Sequence, residues 1–189
     1  MTGPAVALRR RPVIPSAALG MLLFVFSEAV LFSGLISAVT IARASAAVWP
    51  PVAEVPLPVA VTACNSAVLL ASGLLLLLAA RAHRNSLPHT RALLLGSMLT
   101  GGFFVCFQGY EWVDLLRQGL TMRSSLHGGF FYLIVGAHAL HALAGLSVLS
   151  VAYVRLHQGR LKGDFLAATQ VLWYFVVVLW PFLYVRVYL

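Results

Sequence analysis

The chain has 189 residues, of which 61% are hydrophobic and only 10% charged, and its formal net charge is +8. Soluble domains carry roughly a quarter charged residues, so this composition excludes an ordinary soluble fold. The Lys and Arg residues sit in short connectors between apolar runs, which makes the positive charge a topology signal and not a nucleic-acid footprint.

In chain order, Arg9, Arg10 and Arg11 come first and could open a secretory signal. The stretch that follows, from Ala17 to Ile41, is too long for a signal core, carries Glu28 and lacks a clean small-residue cleavage site. It is read as a retained first span. Five spans are predicted, at about 17–42, 58–82, 92–116, 128–154 and 165–188. Each is apolar on all faces and none alternates, so the spans are helices and not strands. The expected fold is all-α: a polytopic membrane helical bundle with five transmembrane helices, forming a single domain over 1–189.

The connectors orient the bundle. Arg9, Arg10, Arg11, Arg81, Arg84, Arg91, Arg155, Arg160 and Lys162 fall on one side, against Arg43, Arg117, Arg123 and Arg186 on the other. The positive-inside rule then puts the N-terminus in the cytoplasm and the C-terminus outside. The first connector, WPPVAEVPLP, holds Pro50, Pro51, Pro56 and Pro58 and is expected to be a stiff, extended outer loop. Trp49, Trp112, Trp173 and Tyr188 are expected mostly near span ends, in the headgroup layer. Cys64 and Cys106 lie inside apolar runs and are read as buried thiols packing as small hydrophobes.

Ionisable groups in the spans each need a partner, because burial in hydrocarbon costs at least about 2.5–3.5 kcal/mol. Glu28 lies near the middle of span 1. Gly20, Ser27 and Gly34 recur beside it every seven residues, a small-residue stripe of the kind that marks close helix packing. Glu28 is therefore expected to face protein, as a buried and protonated carboxyl, hydrogen-bonded near the span-4 histidines, since His141 too lies near the midpoint of its span, or to a lipid headgroup. In span 4, His138 and His141 share a helix face that Gly145 continues. They are read first as a buried hydrogen-bonding pair, and secondly as haem or metal ligands. Span 3 carries Ser97, Gly101, Gln108 and Glu111 at helical spacing, with Glu111 either partly water-exposed or bonded to span 4 or 5. Asn65 and Ser72 share a face of span 2 and read as interhelical glue. No metal site and no catalytic residue is expected from this pattern.

Five segments in series resemble subunit III of cytochrome c oxidase. They are FSEAVLFSGL, with Ser27 and Glu28; WPP followed by CNSAVLLASG, with Asn65 and Ser72; FQGYEW, with Glu111; FFYLIVGAHALHALAG, with Gly136, His138 and His141; and WYFVVVLWPFLYVRVYL. Together they cover nearly the whole chain, and its size fits the short bacterial form with five spans. The resemblance implies an accessory subunit that binds no cofactor itself, with haem and copper in partner subunits. Subunit I would be its main contact, with subunit II also present and subunit IV a further candidate. It also implies structural phospholipids in a cleft with the first two spans on one side, support of proton uptake, and a multi-pass location in the bacterial cytoplasmic (inner) membrane. No nucleic acid partner is implied. Glu28 is the family's buried carboxyl in this comparison, and Ser27, Asn65, Ser72, Glu111, His138 and His141 form its polar network. In one place the sequence departs from the pattern: Tyr174 and Val177 stand where the family has His and Asp in its last helix. That departure keeps open a relative associated with nitric oxide reductase. From another class, a small haem-binding or transport protein built on His138 and His141 is the remaining alternative.

Overall fold

The computed structural model describes residues 16–51 and 55–189; Arg9, Arg10 and Arg11, which carry part of the orientation argument, lie outside them. Five α-helices follow one another: α1 (Ser16–Ser45), α2 (Val59–Arg84), α3 (Thr90–Arg117), α4 (Leu126–His157) and α5 (Gly163–Val187). All five are long and apolar enough to cross a membrane, and their limits fall within a few residues of the predicted spans.

Local chemistry sets the ends. α2, α3 and α4 each close with the same pair of backbone bonds: Leu87 N to Ala82 O with Ser86 N to His83 O, Leu120 N to Leu115 O with Gly119 N to Leu116 O, and Arg160 N to Arg155 O with Gly159 N to Leu156 O. That closure needs one residue in the left-handed region, supplied by Ser86, Gly119 and Gly159 (φ 52°, 98° and 67°). At the other end of α4, the Ser125 hydroxyl accepts from Gly128 N at 2.8 Å and caps the helix. Ser125→Ala is expected to destabilise the chain by about 1 kcal/mol, measurable as a lowered thermal midpoint in detergent.

α2, α3, α4 and α5 pack in a closed ring, α2 on α3, α3 on α4, α4 on α5 and α5 on α2, while α1 lies outside it on α5 with a lighter contact to α4. Among the described residues α1 and α2 do not touch, so the first two spans do not form one wall of a shared cleft. The proline-rich connector carries the chain between them, and α5 is interposed. Trp49, Val55 and Leu57 of that connector fold back onto the core at its end of the bundle.

Packing within the bundle differs from the sequence expectation at two places. On α1 the buried side chains are Ala18, Phe32 and Val39, while Gly20, Ser27 and Gly34 point away from the bundle. Nothing lies within 4 Å of a Cβ built at Gly20 or Gly34. The face with larger side chains makes the contact, Phe32 meeting Phe175 of α5 edge-on at 6.1 Å. Likewise Cys64 and Cys106 are exposed on the outer faces of α2 and α3, and are not buried. A thiol is apolar enough to sit against lipid as easily as against protein.

Candidate functional site

The polar groups of the bundle converge on α5. Trp173, expected near a span end, is instead 0% exposed at the centre of the ring. Its Nε1 donates to Ser72 Oγ at 3.1 Å. Ser72 Oγ donates to the Ser97 carbonyl at 2.7 Å, and Ser97 Oγ returns a bond to the Ser72 carbonyl at 2.9 Å. The indole fits because its neighbours lack side chains. A Cβ at Gly101 of α3 would stand 2.5 Å from Trp173 Cζ2, and one at Gly145 of α4 would stand 2.8 Å from Cε3. Ser72, Ser97, Gly101 and Gly145, read from sequence as separate small or polar positions, are thus parts of one socket for Trp173.

Further along α5, Trp180 Nε1 donates to Ser66 Oγ at 2.7 Å, and Tyr184 Oη donates to the Val59 carbonyl at 3.0 Å. Asn65 Nδ2 donates to the Phe104 carbonyl at 3.2 Å and to Gln108 Oε1 at 3.3 Å, while Gln108 Nε2 donates to Tyr188 Oη at 3.1 Å. Glu111 accepts from Thr62 Oγ1 at 3.3 Å, so its partner is in α2 and not in span 4 or 5. Sequence reasoning missed Thr62, Ser66, Trp173, Trp180 and Tyr184 as partners. The available signal was the spacing of Trp173, Trp180 and Tyr184, which puts three polar-tipped rings on one face of α5.

The two histidines have different surroundings. His138 is 1% exposed, its ring tilted over Trp180 with centroids 5.0 Å apart. Neither of its nitrogens meets a hydrogen-bond partner among the described residues. His141 faces α1: its Nδ1 is 2.8 Å from the Ala137 carbonyl and its Nε2 is 3.1 Å from Glu28 Oε2. Phe24, Phe32 and Phe175 surround that ring with centroids 6.3, 5.5 and 5.8 Å away. Of the hydrogen-bonding pair expected from sequence, His141 makes its bonds while His138 has none among the described residues. Glu28 is only partly buried, at the seam between α1 and α4, with 18% of its side chain exposed. Ser27, expected in the network, points outward and bonds back to the Phe24 carbonyl at 2.7 Å within its own helix.

Both nitrogens of His141 are engaged, and those of His138 are sealed inside the bundle. Among the described residues, no group of three or more His, Cys, Asp or Glu side chains gathers around a common point. The arrangement is a hydrogen-bonded scaffold with one carboxyl–imidazole pair on its flank.

Comparison with known proteins agrees in extent with this single bundle. The family model described as cytochrome c oxidase subunit III matches residues 8–189. The probable cytochrome c oxidase subunit 3 of Nocardia farcinica (strain IFM 10152) is 31% identical, over 89% of this chain and 85% of that protein. The cytochrome c oxidase subunit 3 of Pongo abelii is 32% identical over 94% of this chain and 70% of its own length. That of Pelomedusa subrufa is 31% identical over 89% and 67%. A match running through every helix, with relatives above 30% identity on both sides of the comparison, places the chain in the cytochrome c oxidase subunit III family.

Proposed function

We propose that this chain is the accessory subunit III of a proton-pumping haem–copper terminal oxidase in a bacterial cytoplasmic membrane. The electrons and oxygen are handled in partner subunits, and this chain stabilises subunit I, holds structural lipids and supports proton uptake. The observation that carries the reading is the family match across residues 8–189. The bundle is consistent with it: Asn65, Ser66, Ser72, Ser97, Gln108, Trp173, Trp180 and Tyr184 hold α2, α3 and the α5 end of the chain together. The Glu28–His141 pair stands at an outer seam. α1, attached along one side only, leaves most of its surface to lipid or to a partner subunit. The more basic end of the bundle, with Arg81, Arg84, Arg91, Arg155, Arg160 and Lys162, would face the cytoplasm.

A second reading rests on Tyr174 and Val177, which replace the family's His and Asp. It makes the chain a subunit III relative serving a nitric oxide reductase. One experiment addresses both. The tagged full chain is purified in mild detergent, and the co-eluting proteins are identified by mass spectrometry alongside an optical spectrum. Co-elution of an oxidase subunit I and subunit II with their haem bands is the expected result. A reductase in their place would move the chain to the second reading. A lone chain carrying its own Soret band would overturn both.

A further inference from the structure

We infer that Glu28 and His141 form a dyad that holds a single proton between carboxyl and imidazole, an acid–base site open to the outside of the bundle at the α1–α4 seam. The inference rests on this chain's geometry and holds or fails separately from the oxidase reading.

His141 Nδ1 is 2.8 Å from the Ala137 carbonyl oxygen, one turn earlier in α4. A carbonyl can only accept, so Nδ1 carries hydrogen in every state that keeps this bond. The tautomer is thereby fixed, and Nε2 is either a bare lone pair on a neutral ring or the second N–H of an imidazolium. Nε2 stands 3.1 Å from Glu28 Oε2. A bare carboxylate facing a bare Nε2 at that distance would set lone pair against lone pair and leave one negative charge within a span. A carboxylic acid directing its hydrogen at an imidazolium would set hydrogen against hydrogen and leave one positive charge. Both arrangements lose the bond and add an uncompensated charge in surroundings where charge is expensive. The two that remain are an acid donating to a neutral ring and an imidazolium donating to a carboxylate. They have the same proton count and the same net charge of zero, and differ only in where one hydrogen lies on the Glu28–His141 line.

The setting keeps that count from being changed by other groups. Around the imidazole, α1 contributes Phe24 and Phe32 and α5 contributes Phe175, none of them ionisable. The other titratable neighbour is His138, one turn back on α4, whose ring nitrogens are buried away on the Trp180 side. Yet the pair is not sealed: the side chains of His141 and Glu28 keep 16% and 18% of their surface. A group arriving from outside the bundle at this seam can therefore give or take the shared proton without entering the helix ring.

The test uses the full chain with whatever co-purifies in mild detergent, labelled with 15N-histidine. Infrared difference spectra of wild type against Glu28→Gln isolate the Glu28 band, and 15N NMR reports the protonation of both His141 nitrogens, assigned by their loss in His141→Gln. Either complementary combination supports the dyad: a carboxylic-acid band with a neutral, Nδ1-protonated ring, or a carboxylate band with an imidazolium. A carboxylate band with a neutral ring, an acid band with an imidazolium, or a ring protonated only on Nε2 would overturn it. Should His141→Gln fail to fold, the resonances displaced by Glu28→Gln, which keeps shape and a donor group, identify His141 instead.

Discussion

Gly101→Ala is expected to destabilise the bundle by about 2–3 kcal/mol, although alanine is the better helix former by up to about 1 kcal/mol. The added methyl would meet Trp173 Cζ2 at 2.5 Å, Trp173 Cη2 at 2.9 Å and Ser72 Oγ at 3.1 Å. Carbon atoms prefer separations of roughly 3.5–4.0 Å, so the ring or the helix must give way. The ring has nowhere to go. On its other side a Cβ at Gly145 would already be 2.8 Å away, and its Nε1 is tied to Ser72 at 3.1 Å. Strain should therefore pass to the α3–α5 spacing and break the Ser72–Ser97 bonds as well. The measurement is the monodisperse yield and thermal midpoint of the full chain in detergent. Trp173→Phe removes the two ring atoms that clash, so the double variant should be more stable than the sum of the two single losses by more than about 1 kcal/mol. If Gly101→Ala matched wild type, the indole would not be clamped between α3 and α4.

Legibility from sequence was uneven for a physical reason. Five apolar runs give five helices because only helices and closed barrels satisfy backbone groups in lipid. The face of α3 that carries Ser97, Gly101 and Gln108 was legible because polar atoms avoid lipid, and these three are buried. What composition could not tell is which apolar face meets lipid and which meets protein, since both surroundings are apolar. Hence Trp173 was placed at a headgroup layer although it forms the centre of the ring, and within the bundle α1 packs through Phe32 and Val39 and not through its Gly20, Ser27 and Gly34 stripe. Partner identity was illegible too. Glu111 reaches Thr62 in the helix preceding its own, a pairing set by how α2 and α3 align and not by any pattern within either. The approach of Glu28 to His141 was legible, because a carboxyl and an imidazole near the midpoints of their spans are natural partners, and the two meet at 3.1 Å. The pair's outer position on the seam was not.

The departure at Tyr174 and Val177 carries the other large expected effect. Val177 is 6% exposed and packs on α2, its Cγ1 only 2.9 Å from a Cβ built at Gly73. Gly73, against which it packs, has no side chain with which to donate to a carboxylate there. Pro181, one turn on, has no N–H, and the backbone oxygen it leaves free at Val177 is an acceptor. Val177→Asp, which restores the family's residue, should therefore destabilise this chain by about 3 kcal/mol or more, as an unpaired carboxyl in a span. Val177→Ala separates the two components of that loss: it removes the contact on Gly73 without adding charge, and is expected to be the milder change at about 1–2 kcal/mol. Tyr174→His should be milder again, because Tyr174 is only half-buried and loses a single bond from Gln170 Nε2 at 3.1 Å. The comparison is made on thermal midpoint and on the amount of full chain recovered from membranes. If Val177→Asp proved no worse than Val177→Ala, a donor must reach that carboxyl from outside the ring. The apolar residue at 177 would then not be what lets α5 pack on Gly73.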